Sequence, residues 1–486
     1  MSSTSITAPV VHKGWTLGLA SLGTFITALD TLVVANALPA LRQGLHADLA
    51  DLEWIVNAYS LSFACLLLTG AALGDRFGRK RMFVIGIFAF TAASAVAALS
   101  PSIGLLIAAR SIQGGAAAIV MPMTLTLISE AFPAEKRGTA IGVWGGVAGL
   151  AVSVGPVIGG AIIDAWSWHW IFWINVPVGL ILIPLAIAKL TESHGPRSQL
   201  DIPGLLLAAV GFLGVIWGLV RSTSVGWSAP ETIGALVVGG LFIVLFVVWE
   251  RSTRTPMLAP SLFRAPGFTA ANGVSFFMYA ALFGVIFLIM QFLQNALEYS
   301  PIAAGLRTLP WTGAPMLVAP IAGALADRFG NKPFMIAGLA IQAVGLGWLA
   351  AIAQPDMGYL QMGFALGVAG IGISLCFPTV ANAVVGSVPP GEIGMASGAN
   401  NSIRQLGGVF GVAVLATVFA HPDVYTSPTV FVERFSDAVW IGAAFSAIGI
   451  IPAICMPMRK KARQRAPEPE MMPTPAALDE GRGLRN

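Results

Sequence analysis

Two ionisable residues in apolar surroundings set the chemistry to be explained. Asp30 lies in the stretch Thr-Ala-Leu-Asp-Thr-Leu-Val-Val-Ala-Asn-Ala-Leu-Pro-Ala-Leu (27–41), whose apolar run continues past it to Leu38 before Pro39 and Arg42 close it. Arg110 stands in a second apolar run and is followed by Gln113-Gly-Gly-Ala-Ala-Ala. An ionised carboxylate inside such a segment is costly unless it is paired, hydrated or protonated. Burial raises a carboxyl pKa and a nearby guanidinium lowers it, so a site combining both can gain or lose a proton when its surroundings change.

The elements that hold these residues follow from composition. The chain has 486 residues, 56% hydrophobic and only 10% charged, with a mean hydropathy of +0.79. A soluble protein carries about 25% charged residues, so this is a polytopic membrane protein. A hydrocarbon core of roughly 30 Å takes about 20 helical residues per crossing, and the continuous apolar runs read as about fourteen helices rather than alternating barrel strands. The 55 glycines and 31 prolines suit membrane helices, which use small residues for close approach and prolines for kinks. Cys65, Cys376 and Cys455 fall in apolar segments, which predicts neither a disulfide nor a metal site. Residues 1–13 lack the cleavage pattern of a signal peptide, so the first span is expected to be retained.

Lys and Arg concentrate in cytoplasmic loops. With the N-terminus inside, only Arg42, Arg221 and Arg434 of the 27 basic residues fall on the outer side, while Arg110, Arg307 and Arg404 fall within spans. Both termini are therefore expected to be cytoplasmic. Ala-Ala-Leu-Gly-Asp-Arg-Phe-Gly-Arg-Lys (71–80) recurs as Gly-Ala-Leu-Ala-Asp-Arg-Phe-Gly-Asn-Lys (323–332), and Gly155-Pro-Val-Ile-Gly159 maps at the same offset onto Gly407-Gly-Val-Phe-Gly411. Two matches at one offset point to a duplication whose halves run parallel about an axis along the membrane normal. It divides the chain into a short N-terminus (1–14), a six-helix bundle (15–189), a linker with two further helices (190–267), a second six-helix bundle (268–457) and a tail expected to be cytoplasmic and disordered (458–486). The run Arg-Lys-Lys-Ala-Arg-Gln-Arg (459–465) reads as an orientation signal. Helix rise puts Asp30 roughly 12 Å and Arg110 roughly 9 Å from the same outer surface, a match in depth.

The repeated Asp-Arg-Phe-Gly loop, the Gly-Pro-x-x-Gly-Gly at 155–160 and the fourteen-span plan resemble the major facilitator superfamily. Within it they are similar to the fourteen-span drug:proton antiporters of the Qac and Emr type. Supporting segments are Leu29–Pro39, Trp-His-Trp-Ile-Phe-Trp-Ile-Asn-Val-Pro (168–177), Tyr-Ser-Pro-Ile-Ala-Ala-Gly-Leu (299–306) and Arg404–Gly411. The resemblance implies an all-α polytopic fold of two six-helix bundles plus two inserted helices. It also implies a multi-pass protein of the bacterial inner membrane that works by alternating access, without enzymatic activity or a cofactor, driven by the proton gradient.

Residue roles follow from the same resemblance. Asp30 and Arg110 are the proton-coupling pair, on spans that line the central cavity in the family. Asp75, Arg76, Gly78 and Arg79, with Asp327 and Arg328 of the second copy, form a latch between the halves. Gly155, Pro156, Gly159 and Gly160 form the antiporter motif, and the other glycines of that span suit close packing. Phe25, Tyr59, Gln113, Phe277, Gln294 and Arg404 are cavity candidates. Arg307 is expected at interfacial water, His169 receives no role, and Asp30 maps onto Leu282, so coupling resides chiefly in the first half.

A greasy cavity with one carboxylate suits lipophilic, often cationic compounds. The expected partners are such a substrate, protons and lipids, with no nucleic acid. A dedicated exporter of a secondary metabolite and a proton-coupled symporter remain as alternatives, the Gly-Pro element counting against symport. No channel filter, hydrolytic set or Walker loop is present in the sequence. Nothing in the residues decides between a monomer and a chain that couples to a periplasmic adaptor.

Overall fold

A computed structural model of the chain describes residues 13–194, 201–253, 256, 258, 260–389, 393–421 and 423–457. The described residues are helical throughout, with no strand among them. The first bundle comprises α1 (Lys13–Leu45), α2 (Leu49–Phe77), α3 (Arg79–Ala98), α4 (Ile103–Ala131), α5 (Ala134–Ala165) and α6 (Trp170–Trp173), which leads into α7 (Asn175–Lys189). An inserted pair, α8 (Ile202–Val225) and α9 (Pro230–Ser252), follows. The second bundle opens with α10 (Pro266–Gln291), which ends in a widened π-type turn at Phe292–Ala296. α11 (Pro301–Arg307), α12 (Leu309–Thr312) and α13 (Ala314–Phe329) then share one crossing, broken around Pro310 and Gly313. α14 (Asn331–Ile352), α15 (Tyr359–Gly386), α16 (Ile393–Phe419), α17 (Pro428–Ile448) and α18 (Ile450–Cys455) complete it. Thirteen segments are long and apolar enough to cross a membrane, and α2, bent by 51° between Leu67 and Thr69, makes the fourteenth.

Helix starts are written locally. Asp48 and Asp51 form a reciprocal capping box at α2, and Asp201, Ser300 and Ser427 each accept an amide at the starts of α8, α11 and α17. The duplicated loops turn on glycines in the left-handed region, Gly78 at φ +102° and Gly330 at φ +88°. The end of the molecule carrying these loops is called the basic end below, and the opposite one the far end.

The two bundles meet along two seams. On one side α2 lies against α16, where Ser402 donates to the Ala64 carbonyl at 3.2 Å. α8 covers this seam: Ile216 and Leu219 pack with Leu61, Cys65, Val409 and Ala413, and the Trp217 ring lies tilted against Trp54, centres 5.2 Å apart. On the other side the far-end part of α5 is tied to the second bundle, Ser153 donating to the Thr312 carbonyl at 2.8 Å. Lower on the same helix the contact ends. A side chain at Gly145, Gly146 or Gly149 would meet nothing within 4 Å, and Leu317 and Ile321 of α13 are exposed. The cleft between the bundles is thus closed at the far end, and α5 and α13 touch little toward the basic end.

Candidate functional site

Asp30 and Arg110 are both fully buried and form an ion pair, Arg110 Nη1 to Asp30 Oδ2. The other carboxylate oxygen accepts from Gln113 Nε2 at 3.2 Å and from Asn175 Nδ2 at 2.9 Å. Ser94 joins these amides, accepting from Gln113 at 2.8 Å and Asn175 at 3.3 Å. Arg110 is held in turn by the Ile55 carbonyl at 3.3 Å and the Gln113 side-chain oxygen at 3.1 Å. Its Cζ lies 4.5 Å from the centre of the Tyr59 ring, and the Tyr59 hydroxyl donates to the Thr27 carbonyl at 3.2 Å. Every contact to Asp30 is a donor, the arrangement that suits an ionised carboxylate.

These partners come from α3, α4 and α7, so Asp30 points into the interior of the first bundle rather than into the cleft between bundles. Gln113 and Tyr59, expected in a substrate cavity, instead belong to this enclosed cluster. Ser94 and Asn175 were not singled out from the sequence. Asn175 could have been, because it is an amide within the apolar run Trp-Ile-Asn-Val-Pro. Glu53 lies just before the apolar run that begins at about residue 54, but α2 begins at Leu49, which leaves this glutamate fully buried one turn inside the helix.

At the basic end, Arg79 pairs with Asp75 at 2.8 Å and with Glu130 of α4. Glu192, after α7, accepts the backbone amides of Lys80 at 2.9 Å and Arg81 at 3.1 Å, capping α3 from a distance. A side chain at Gly78 would sit 2.7 Å from that carboxyl group. Arg76 is exposed, its guanidinium 5.2 Å from the Phe77 ring, and Arg328 repeats this geometry with Phe329 at 5.4 Å. The Asp327 side chain, residues 1–12 and the tail 458–486 lie outside the described residues. α2 and α4 approach closely at Gly70, where an added Cβ would lie 2.3 Å from the Ala118 carbonyl oxygen, and at Gly114, where one would lie 2.1 Å from that of Tyr59.

The sequence matches the model of the Major Facilitator Superfamily over residues 20–412, with a second match over 272–483. The chain belongs to the major facilitator superfamily. It is a multi-pass membrane transporter and not an enzyme. The Multidrug resistance protein Stp of Mycobacterium tuberculosis is 34% identical over 83% of this chain and 75% of its own. The tetracenomycin C resistance and export protein of Streptomyces glaucescens is 33% identical over 83% and 76%. The puromycin resistance protein pur8 of Streptomyces alboniger is 31% identical over 93% and 92%. Among solved structures, the inward-open xylose transporter XylE from E. coli superimposes with a TM-score of 0.62 at 15% identity, covering 92% of this chain and 96% of that one, a likeness in fold.

In this facilitator the Gly-Pro segment of α5 abuts the second bundle. A Cβ on Gly160 would lie 2.3 Å from the Pro301 carbonyl oxygen, and one on Gly305 would lie 2.2 Å from that of Pro156. Gly155 and Gly159 instead face Leu32 and Val33 of α1, at 2.9 and 3.1 Å. Gln294 is no free cavity residue, because its amide donates to Asn36 at the far end. Phe25 and Phe277 are half-buried against the core. Phe277 belongs to an aromatic group with Phe276, Phe410 and Phe445, ring centres 5.4 to 6.4 Å apart. Arg404 lies 4.3 Å from the Tyr279 ring and 4.9 Å from Phe377, and donates to Asn401 at 3.2 Å. Arg307 lies over Tyr299 at 3.8 Å. His169 stacks on Trp168 at 3.7 Å, and its burial holds the imidazole below its usual range.

The second bundle has a different polar centre. Leu282 occupies the position equivalent to Asp30 and packs with the core. Its buried polar group is uncharged, Asn400 donating to Asn272 at 3.0 Å and to Ser275 at 2.7 Å.

Proposed function

We propose that this facilitator exports lipophilic, often cationic drugs from the cytoplasm by exchange for protons, with Asp30 as the proton-carrying group and Arg110 as its partner. It would act in the bacterial cytoplasmic membrane with both termini inside, as the distribution of basic residues predicts, with no cofactor beyond the proton gradient. The observation that carries the reading is the enclosed Asp30–Arg110 pair, a buried charge with its own donors, in a chain whose relatives bear the names of drug and antibiotic resistance proteins.

Asp30 accepts from donors on α4 and α7. A proton on Asp30 removes the charge that attracts these donors and so loosens the hold of α4 and α7 on α1. Proton uptake is therefore tied to helix movement in the first bundle, and that tie converts a proton gradient into a change of cleft exposure. Substrate would occupy the cleft beside the aromatic group of Phe276, Phe277, Phe410 and Phe445, where broad apolar contact demands little exact shape. The Arg79 pairs with Asp75 and Glu130 join α2, α3 and α4 within the first bundle, so a latch between the halves would form only when the cytoplasmic end closes.

The test is transport by purified protein in proteoliposomes under an imposed pH gradient. Wild-type protein should concentrate a lipophilic cation against its gradient, and Asp30→Asn, destabilised by the unpaired Arg110 but still folded, should lose that ability. Full gradient-driven accumulation by Asp30→Asn would sink the assignment. Substrate and protons moving in the same direction would favour the symport reading.

A further inference from the structure

Asn36 has no role in the reading above, yet it is fully buried and its one side-chain amide touches both bundles. Nδ2 donates to the Pro156 carbonyl of α5 at 2.6 Å and to the Pro301 carbonyl of α11 at 3.3 Å. Oδ1 and the backbone carbonyl of the same residue accept from Gln294 Nε2, at 2.9 and 3.0 Å. Pro156 belongs to the first bundle, whereas Pro301 and Gln294 belong to the second.

Three local features aim these groups. The π-type turn at Phe292–Ala296 carries Gln294 out of the regular α10 register, as such turns do at working sites. Ser300 caps α11, so that its first residue is Pro301. The glycine contacts of Gly160 and Gly305 bring α5 and α11 close enough for one asparagine to span both carbonyls. Asp164 adds a neighbouring tie, accepting from the Ile302 amide at 3.1 Å.

We infer that Asn36 is the latch of the far-end gate, and that breaking its bonds to Gln294 and Pro301 is a required step when the cleft changes the end to which it opens. Asparagine suits the post because one amide both donates to the carbonyls and accepts from Gln294. The inference deepens the transport reading. Asn36 lies six residues, about 9 Å of helix rise, beyond Asp30 on α1, so one helix bears both the proton-carrying group and the gate amide, and a shift of α1 that frees Asp30 also pulls on the latch.

The experiment measures the gate directly. Spin labels are placed on cysteines at Ser102 and Asp356, exposed far-end positions of the two bundles. Cys455 is replaced by Ser, whereas Cys65 and Cys376 are buried and left in place. In reconstituted protein at fixed pH and without substrate, Asn36→Ala should raise the ratio of long to short label distances by about fivefold or more, as the loss of one or two buried hydrogen bonds predicts. Gln294→Ala, which removes both Gln294 bonds to Asn36 and leaves the bond to Pro301, should do the same. The double variant should exceed either, because each single variant leaves one bond across the bundles, Gln294 to the Asn36 backbone carbonyl or Asn36 to Pro301. A wild-type distance distribution in either single variant overturns the inference, and Gln294→Ala keeps the test decisive if Asn36→Ala does not fold. Because the distances are read without a proton gradient, the latch stands or falls separately from Asp30. Failure of Asp30→Asn to lose coupling would remove the proton reading and leave the gate measurement intact.

Discussion

Asn175 donates to Asp30 Oδ1 at 2.9 Å from 145 positions further along the chain. It enters the site on α7, beyond the break that separates α6 from α7, and α7 therefore gains a direct hold on the carboxylate of α1. A charge-assisted hydrogen bond of this kind contributes about 1.5–3 kcal/mol. Asn175→Ala should therefore destabilise the first bundle by about that amount and slow gradient-driven transport. Thermal unfolding in detergent and proteoliposome assays check the two effects, and unchanged transport would count against Asn175 as a partner in coupling.

Arg110→Ala should destabilise the protein by about 3–5 kcal/mol, because it leaves a buried carboxylate without its counter-charge. Asp30→Asn in the same chain should recover most of that loss without restoring gradient-driven transport. Thermal unfolding in detergent measures the first effect and proteoliposome assays the second. Arg110→Lys should not substitute for arginine, since an ammonium cannot reach Asp30, Gln113 and the Ile55 carbonyl with the fixed fork they now share.

Gly160→Ala and Gly145→Ala form a matched pair on α5. The first would place a methyl 2.3 Å from the Pro301 carbonyl oxygen, whereas the second meets nothing within 4 Å. Gly160→Ala should force the far end apart and make introduced far-end cysteines react faster with a membrane-impermeant reagent. Gly145→Ala should leave those rates near wild type, and equal rates in the two variants would refute the seam assignment.

Glu130→Gln breaks one of the two pairs of Arg79. The Glu130 side chain is 39% exposed, and exposed ion pairs contribute about 0–1 kcal/mol. Global stability should therefore barely change, while amide exchange at the start of α3 should rise by no more than about fivefold. A collapse of the fold would mean that the pair is structural rather than a latch.

The amino-acid sequence by itself determined the membrane class, the duplicated plan and the identity of Asp30 as the anomalous charge. It could do so because hydropathy, repeat spacing and a carboxylate in an apolar run are local properties of the chain. The depth match between Asp30 and Arg110 was legible for the same reason, since helix rise converts residue number to distance. Only the tertiary structure decided which groups meet. In a helix that is apolar on most faces, rotation about its own axis leaves little mark on the residue pattern, and interhelical contact turns on small residues and shape. Asp30 therefore could be placed at its height but not aimed. Its aim inward, toward Ser94, Gln113 and Asn175, emerged from the packing of α1 on α3, α4 and α7. Gln294 illustrates the same limit: the sequence placed it near the end of a span, but the π-type turn swung its amide onto Asn36. Closure at the far end is the largest such decision, because it depends on Pro156, Gly160, Pro301 and Gly305 meeting across two bundles, and no periodicity within either bundle records that encounter.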